Sequence, residues 1–221
     1  MRTLLVLASA VTLGLSVFAL RPDLVPGRAL VGHVGEVSAG GGLARPSGSP
    51  ADPVRTTVAV RTYPVTGSRA DEVLASMAAG APHADGETFF GMTATQLAFR
   101  YVRERTGRAC TLRDVQIDLD VSVSLPAWTP GPGTDYDLRR DWARFESSLR
   151  RHEDHHRVLA ERGAEAIRRE LDGLAAPTCA GADGEARRRA ERVRIETDAA
   201  HRRYDDETGH GETQGAVWPL T

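Results

Sequence analysis

An α+β fold, with a small mixed β-sheet packed on one long helix and a second long helix beside it, is what this sequence predicts, and three observations predict it. Apolar residues alternate with polar ones at Val115, Ile117, Leu119, Val121, Val123 and Leu125, the period of a strand buried on one face. Leu138, Trp142, Phe145, Leu149, His152, His156, Ala160, Ala164, Ile167, Leu171 and Leu174 recur at steps of three or four, the period of one long helix with a single inward stripe. Ala186, Ala190, Val193, Thr197, Ala200 and Tyr204 repeat that spacing and predict a second helix from about Gly184 to Tyr204.

Residues 1–20 read as an export leader: an uncharged run follows Arg2, with Val17 and Ala19 as the small residues before a cleavage point. Left uncut, the same run would serve as a single membrane anchor. Residues 21–53 are rich in Gly, Pro, Ser and Ala without an apolar period, which predicts a flexible spacer, so the folded domain spans 54–221. Within it, Val54–Thr62 and Leu97–Tyr101 alternate as half-buried strands. Between them Ser68 is the expected cap of a short helix in which Ala70, Val73, Leu74 and Met77 share a face and Gly80 marks the stop. Asp118 and Asp120 point away from the apolar face of the long strand and read as a solvated surface. Gly163 lies inside the long helical pattern at a cost of about 1 kcal/mol relative to Ala.

Composition narrows the class. With 41% hydrophobic, 26% charged and 5% aromatic residues in 221, the chain is neither a polytopic membrane protein nor a collagen-like repeat nor wholly disordered. All 28 basic residues are Arg, but acidic residues interleave with them and the net charge is −2, which argues against a nucleic-acid partner. Two cysteines in an exported domain favour one disulfide, joining Cys110 at the start of the long strand to Cys179 between the helices.

The chemistry concentrates in His152-Glu153-Asp154-His155-His156, an H-E-x-x-H pattern on the apolar stripe of the long helix. Residues four apart sit one turn apart on the same face, so both imidazoles can reach a single Zn²⁺ at about 2.0 to 2.1 Å. Glu153 projects alongside and can accept a proton from the attacking water. Two core histidines satisfied by hydrogen bonds would need a buried partner for each ring, whereas a metal satisfies both together. His155 falls off the two-ligand register and Asp154 reads as solvated.

Three residues compete for the third zinc ligand. His210 comes first, because Gly209 and Gly211 on either side allow backbone angles that can aim its ring. Asp205 follows, either binding the metal or orienting a ligating histidine. Glu196, flanking the second helical stripe, is third.

Several segments carry a resemblance: Tyr63-Pro64-Val65-Thr66-Gly67, Cys110-Thr111-Leu112, Leu125-Pro126-Ala127-Trp128, Trp142-Ala143-Arg144-Phe145, and Tyr204 to Gly211 followed by Gln214-Gly215-Ala216. Together with the H-E-x-x-H they resemble a family of bacterial predicted secreted zinc-dependent proteases, known mainly as a domain of unknown function. The resemblance covers nearly all of residues 54–219. It implies a zincin-like fold and an extracytoplasmic address, and it marks the stretch that contains His210.

The expected reaction is peptide-bond hydrolysis on a peptide or protein substrate. One Zn²⁺ would be held by His152, His156 and His210, with Glu153 as general base and Tyr204 or His155 beside the developing oxyanion. The membrane would be engaged only through an uncleaved leader. A non-catalytic, zinc-stabilised binding module outside the cytoplasm is the alternative. A hydrolase acting on a non-peptide amide of the cell envelope would use the same residues.

Overall fold

The structure, a computed structural model, describes residues 18–21, 45–47, 52–84 and 87–219. The leader expected over 1–20 and the spacer expected over 21–53 lie largely outside the described residues. In chain order the elements are β1 (Phe18–Arg21), β2 (Arg45–Ser47), β3 (Val54–Gly67), α1 (Ala70–Gly80), β4 (His83–Ala84), β5 (Glu87–Thr88), β6 (Met92–Thr106), β7 (Ala109–Pro130), α2 (Tyr136–Leu171), β8 (Ala175–Ala176) and α3 (Cys179–Thr208). A short 3₁₀ turn at Glu212–Gln214 follows. The architecture is a mixed α+β fold: among the described residues a small mixed sheet and three helices, with β4 and β5 paired as a separate two-stranded ribbon.

The main sheet has the order β1-β6-β7-β3-β2, with β8 pairing to β7. β7 is its centre, antiparallel to β6 and parallel to β3. Its alternating residues Val115, Ile117, Leu119, Val121, Val123 and Leu125 are all buried, as their period required. Burying each such side chain contributes about 1.5 to 3 kcal/mol. On the opposite face Asp118 accepts from Arg55 at 3.3 Å and from Arg100, a surface ion network.

The strands run longer than the sequence periods suggested, and the reason is pairing. β7 continues through Pro126 to Pro130 because, past Ser124, β6 no longer pairs with it and only β3 does. A proline there costs no ladder bond on the free side. At the other end the register with β6 shifts between Arg100 and Val102, and Asp114 takes a left-handed φ of 50°, the extra residue of a β-bulge.

Caps locate the helices. Arg69, not Ser68, is the N-cap of α1 and makes no side-chain cap bond. Instead the Ser68 N–H donates to the Glu72 carboxylate at 2.8 Å, which leaves the first turn capped from inside the helix. α2 starts behind Asp135, whose carboxylate accepts from the Leu138 N–H at 2.7 Å. α3 begins five residues before Gly184 because the Thr178 hydroxyl accepts from the Gly181 N–H at 3.0 Å, and it ends on Gly209 in the left-handed conformation.

α2 lays its apolar face on the sheet and α3 packs antiparallel against it. Gly163 marks the closest approach: a Cβ at this position would stand 2.5 Å from the Thr197 Oγ1. The helix therefore accepts a propensity penalty so that its neighbour can come near. Cys110 of β7 and Cys179, the first residue of α3, form the expected disulfide. After α3 the chain folds back over α2, and Trp218 packs edge-on against Trp142 with ring centroids 5.5 Å apart.

Candidate metal centre

The inward face of α3 is shifted by one residue from the stripe expected through Ala200 and Tyr204. Burial follows Val193, Thr197, His201, Asp205 and Thr208, the continuation of the four-residue step from Val193. This shift turns two polar side chains, His201 and Asp205, toward His152 and His156 on α2. His152, Glu153, His156 and Asp205 are 3%, 4%, 4% and 3% exposed, and His201 is 1% exposed.

Three atoms converge. His156 Nε2 lies 3.2 Å from His152 Nε2, and these nitrogens approach Asp205 Oδ1 at 2.9 and 3.2 Å respectively. Ligand atoms on a tetrahedral zinc with bonds near 2.0 Å are themselves about 3.3 Å apart, so the three separations suit one small cation. Among the described residues this is the one group of three or more His, Cys, Asp or Glu side chains placed to hold a metal ion.

The outer nitrogens of both rings have partners of their own. His156 Nδ1 pairs with His201 Nδ1 at 2.9 Å, and His152 Nδ1 lies 3.2 Å from the Gln214 amide oxygen. If each ligand histidine donates through Nδ1, each Nε2 presents a lone pair to the common point. Both Asp205 carboxylate oxygens are buried without a hydrogen-bond partner, and it is Oδ1 that the two Nε2 atoms approach. A carboxylate and two lone pairs crowded in a buried site call for a cation.

The charges respond accordingly. Burial pushes the Asp205 carboxyl up, but the two imidazoles outweigh it and hold it down to about 2. Burial lowers His152, yet Asp205 and Glu153 bring it above the ordinary histidine value. Burial, reinforced by His156, pushes His201 down to about 4, so it stays neutral as a partner for His156.

Glu153 stands on the sheet side of the pair. Its Oε2 accepts from the Thr93 hydroxyl of β6 at 2.7 Å, and burial raises its pKa. Gly91 leaves room for it, since a Cβ there would lie 2.5 Å from Glu153 Oε1. Over the centre, Gly211 has a φ of 88° and passes so close that a Cβ would be 3.2 Å from His152 Cγ. Tyr204 stacks on His155 with centroids 4.0 Å apart and exchanges hydrogen bonds with Gln214.

Of the residues singled out by sequence, the structure thus brings together His152, Glu153, His156 and Asp205. His210 stands next to them, its Nδ1 3.9 Å from Asp205 Oδ1, outside the group of three. Glu196 has a side chain 66% exposed and lies 3.8 Å from Arg192, away from the centre. His201, Thr93 and Gln214 were missed. His201 had a signal, its place four residues from both Thr197 and Asp205, whereas nothing in the local pattern marks Thr93.

Residues 60–211 match the model of a family described as bacterial protein of unknown function (DUF922). No curated protein and no solved structure matches the chain. The matched span is more than half of the chain and contains His152, Glu153, His156, His201 and Asp205, and the chain belongs to this family.

Proposed function

We propose that this chain is a zinc-dependent peptidase acting outside the cytoplasm, with His152, His156 and Asp205 as the metal ligands. The observation that carries the reading is the meeting of three electron-pair donors in a buried site, with a carboxylate, Glu153, held beside them. Zinc bound there would supply a Lewis acid for the substrate carbonyl and lower the pKa of a water. Thr93 fixes one oxygen of Glu153 and leaves the other to take the proton of the attacking water and pass it to the leaving amine. His201 and Gln214 hold the ligand rings in orientation. The Cys110–Cys179 disulfide supports an oxidising compartment, and no helix among the described residues is long and apolar enough to cross a membrane.

Burial of all four residues favours a second reading, a zinc-stabilised binding module. A peptidase needs the segment 209–216 to open, since Gly211 and Gln214 lie on His152. Hydrolysis of a broad peptide mixture by the zinc-loaded chain separates the two. Wild type should cleave, and Glu153→Gln should keep its zinc while losing at least about a hundredfold in rate. Undiminished cleavage by Glu153→Gln would remove Glu153 from the mechanism. A zinc-loaded wild type that cleaves nothing favours the binding module.

A further inference from the structure

His152, Glu153, His156 and Asp205 are all buried, so an ion reaches them only if a covering segment moves. Two irregular segments lie over them, and they are fastened differently. On the sheet side residues 89–91 are tied to the rest of the fold. The Phe89 N–H donates to the Pro82 carbonyl at 3.0 Å, the Tyr63 hydroxyl donates to the Phe90 carbonyl at 2.9 Å, and the Phe90 ring packs edge-on against Phe145.

Residues 209–216, on the other side, are fastened mostly to themselves. The Gln214 and Ala216 N–H groups donate to the Gly211 carbonyl at 3.0 and 2.9 Å, and the Gly215 N–H donates to the Glu212 carbonyl at 2.9 Å. A segment whose backbone bonds close within it can swing without breaking them. One end leaves α3 at Gly209, whose φ of 55° marks a sharp change of direction. Beyond the other end Trp218 is buried, its indole N–H on the Ala70 carbonyl at 3.2 Å. Among the described residues, the one hydrogen bond from this segment to α2 joins Gln214 to His152, at 3.2 Å. The same Gln214 amide makes two hydrogen bonds with the Tyr204 hydroxyl, at 2.9 and 3.1 Å. Tyr204 is held independently, stacked on His152 and His155 with centroids 4.9 and 4.0 Å apart.

We infer that residues 209–216 are a gate over the metal centre, turning about Gly209 and Val217 and latched by Gln214 on His152 and Tyr204, and that an ion enters and leaves only while the latch is undone. The gate rests on the metal-ligand reading of this centre and not on hydrolysis. A residue that only orients His152 sets how tightly zinc is held, whereas a latch sets how fast zinc moves in both directions. Stopped-flow uptake of Zn²⁺ by the metal-free full chain, and its release to excess EDTA, separate the two. Tyr204→Phe keeps the ring stack and removes the hydroxyl that holds Gln214. Uptake and release should both quicken about tenfold, with affinity unchanged within about threefold. The converse is a lock, because a Cβ on Gly215 would stand 3.9 Å from the Ser148 Cβ, within the span of a disulfide. Oxidised Ser148→Cys/Gly215→Cys should exchange zinc at least about tenfold more slowly than Gly215→Ala, which carries the same strained φ of 88° without the bond. Tyr63→Phe, which loosens residues 89–91, should exchange zinc at the wild-type rate. If the locked variant does not fold, the Tyr204→Phe rates decide. Equal rates in the lock and in Gly215→Ala overturn the gate, as does a Tyr204→Phe that weakens affinity without faster uptake. Faster exchange in Tyr63→Phe alone moves the entry to the sheet side and overturns it too. A wild type that binds no zinc removes the metal centre and the gate together, whereas zinc bound at rates indifferent to the lock removes the gate and leaves the centre.

Discussion

The two ends of the α2–α3 pair are built on the same helices, with the same spacing and the same depth, and they differ in chemistry. Toward the disulfide, Ala160, Ala164, Ile167 and Leu171 of α2 and Ala182, Ala186, Ala190 and Val193 of α3 are all buried in the apolar core. Toward the C-terminus of α3, His152, Glu153 and His156 face Thr197, His201 and Asp205, equally buried. The first end closes by hydrophobic burial alone. The second places charges and lone pairs where water is excluded, so its stability depends on what neutralises them. Helical period reports burial, and only residue identity reports what that burial is for.

Removing the brace at the apolar end should give the largest effect. The disulfide closes 69 residues of chain, so Cys110→Ser/Cys179→Ser should cost about 4 kcal/mol on the chain-entropy model. Urea unfolding measures this, and zinc affinity should stay within a few fold because the bond lies at the opposite end from the metal group. A lost zinc site would mean that the two ends are not independent.

Making the polar end apolar sharpens the contrast. In metal-free protein, His152→Leu/His156→Leu/Asp205→Leu should raise unfolding stability by about 2 kcal/mol, since a buried ionic group gives way to packing. The same variant should gain nothing from added zinc, whereas wild type gains by mass action. A triple variant less stable than metal-free wild type would mean that the polar cluster holds together without a cation.

A further effect should appear with pH. His201 is depressed to about 4 in the folded chain from an ordinary 6.5. Its contribution is therefore full above pH 6.5 and lost as pH falls toward 4. His152 and Glu153 are raised, and what they contribute is lost as pH rises through their folded values, so the bare pH slope mixes opposite signs. The difference between metal-free wild type and His201→Leu isolates His201. From pH 7 to pH 4 wild type should lose about 3 kcal/mol relative to the variant. A pH-independent difference would show that His201 is not held neutral by burial.

Much of this was legible in the sequence, for identifiable reasons. The i, i+4 spacing of His152 and His156 on an apolar stripe fixed their common face, and the even cysteine count pointed to the bond between Cys110 and Cys179. Strand lengths were less legible because pairing partners, not local period, extend β7 past Pro126. The face of α3 was misjudged because Ala200 and Tyr204 look more buriable than His201 and Asp205. Hydrophobicity favours the former pair, while the four-residue step from Val193 and the demand of the facing histidines favour the latter. His210 drew notice through its flanking glycines, and both of these take left-handed angles, with Gly211 passing close over His152.

The most direct test is zinc stoichiometry and affinity, by elemental analysis and calorimetry, for wild type, Asp205→Asn and His210→Ala. One zinc per chain is expected in wild type and in His210→Ala at similar affinity, with Asp205→Asn weakened at least about a hundredfold. Zinc lost by His210→Ala but kept by Asp205→Asn, or no zinc bound by wild type, would contradict a centre made by His152, His156 and Asp205.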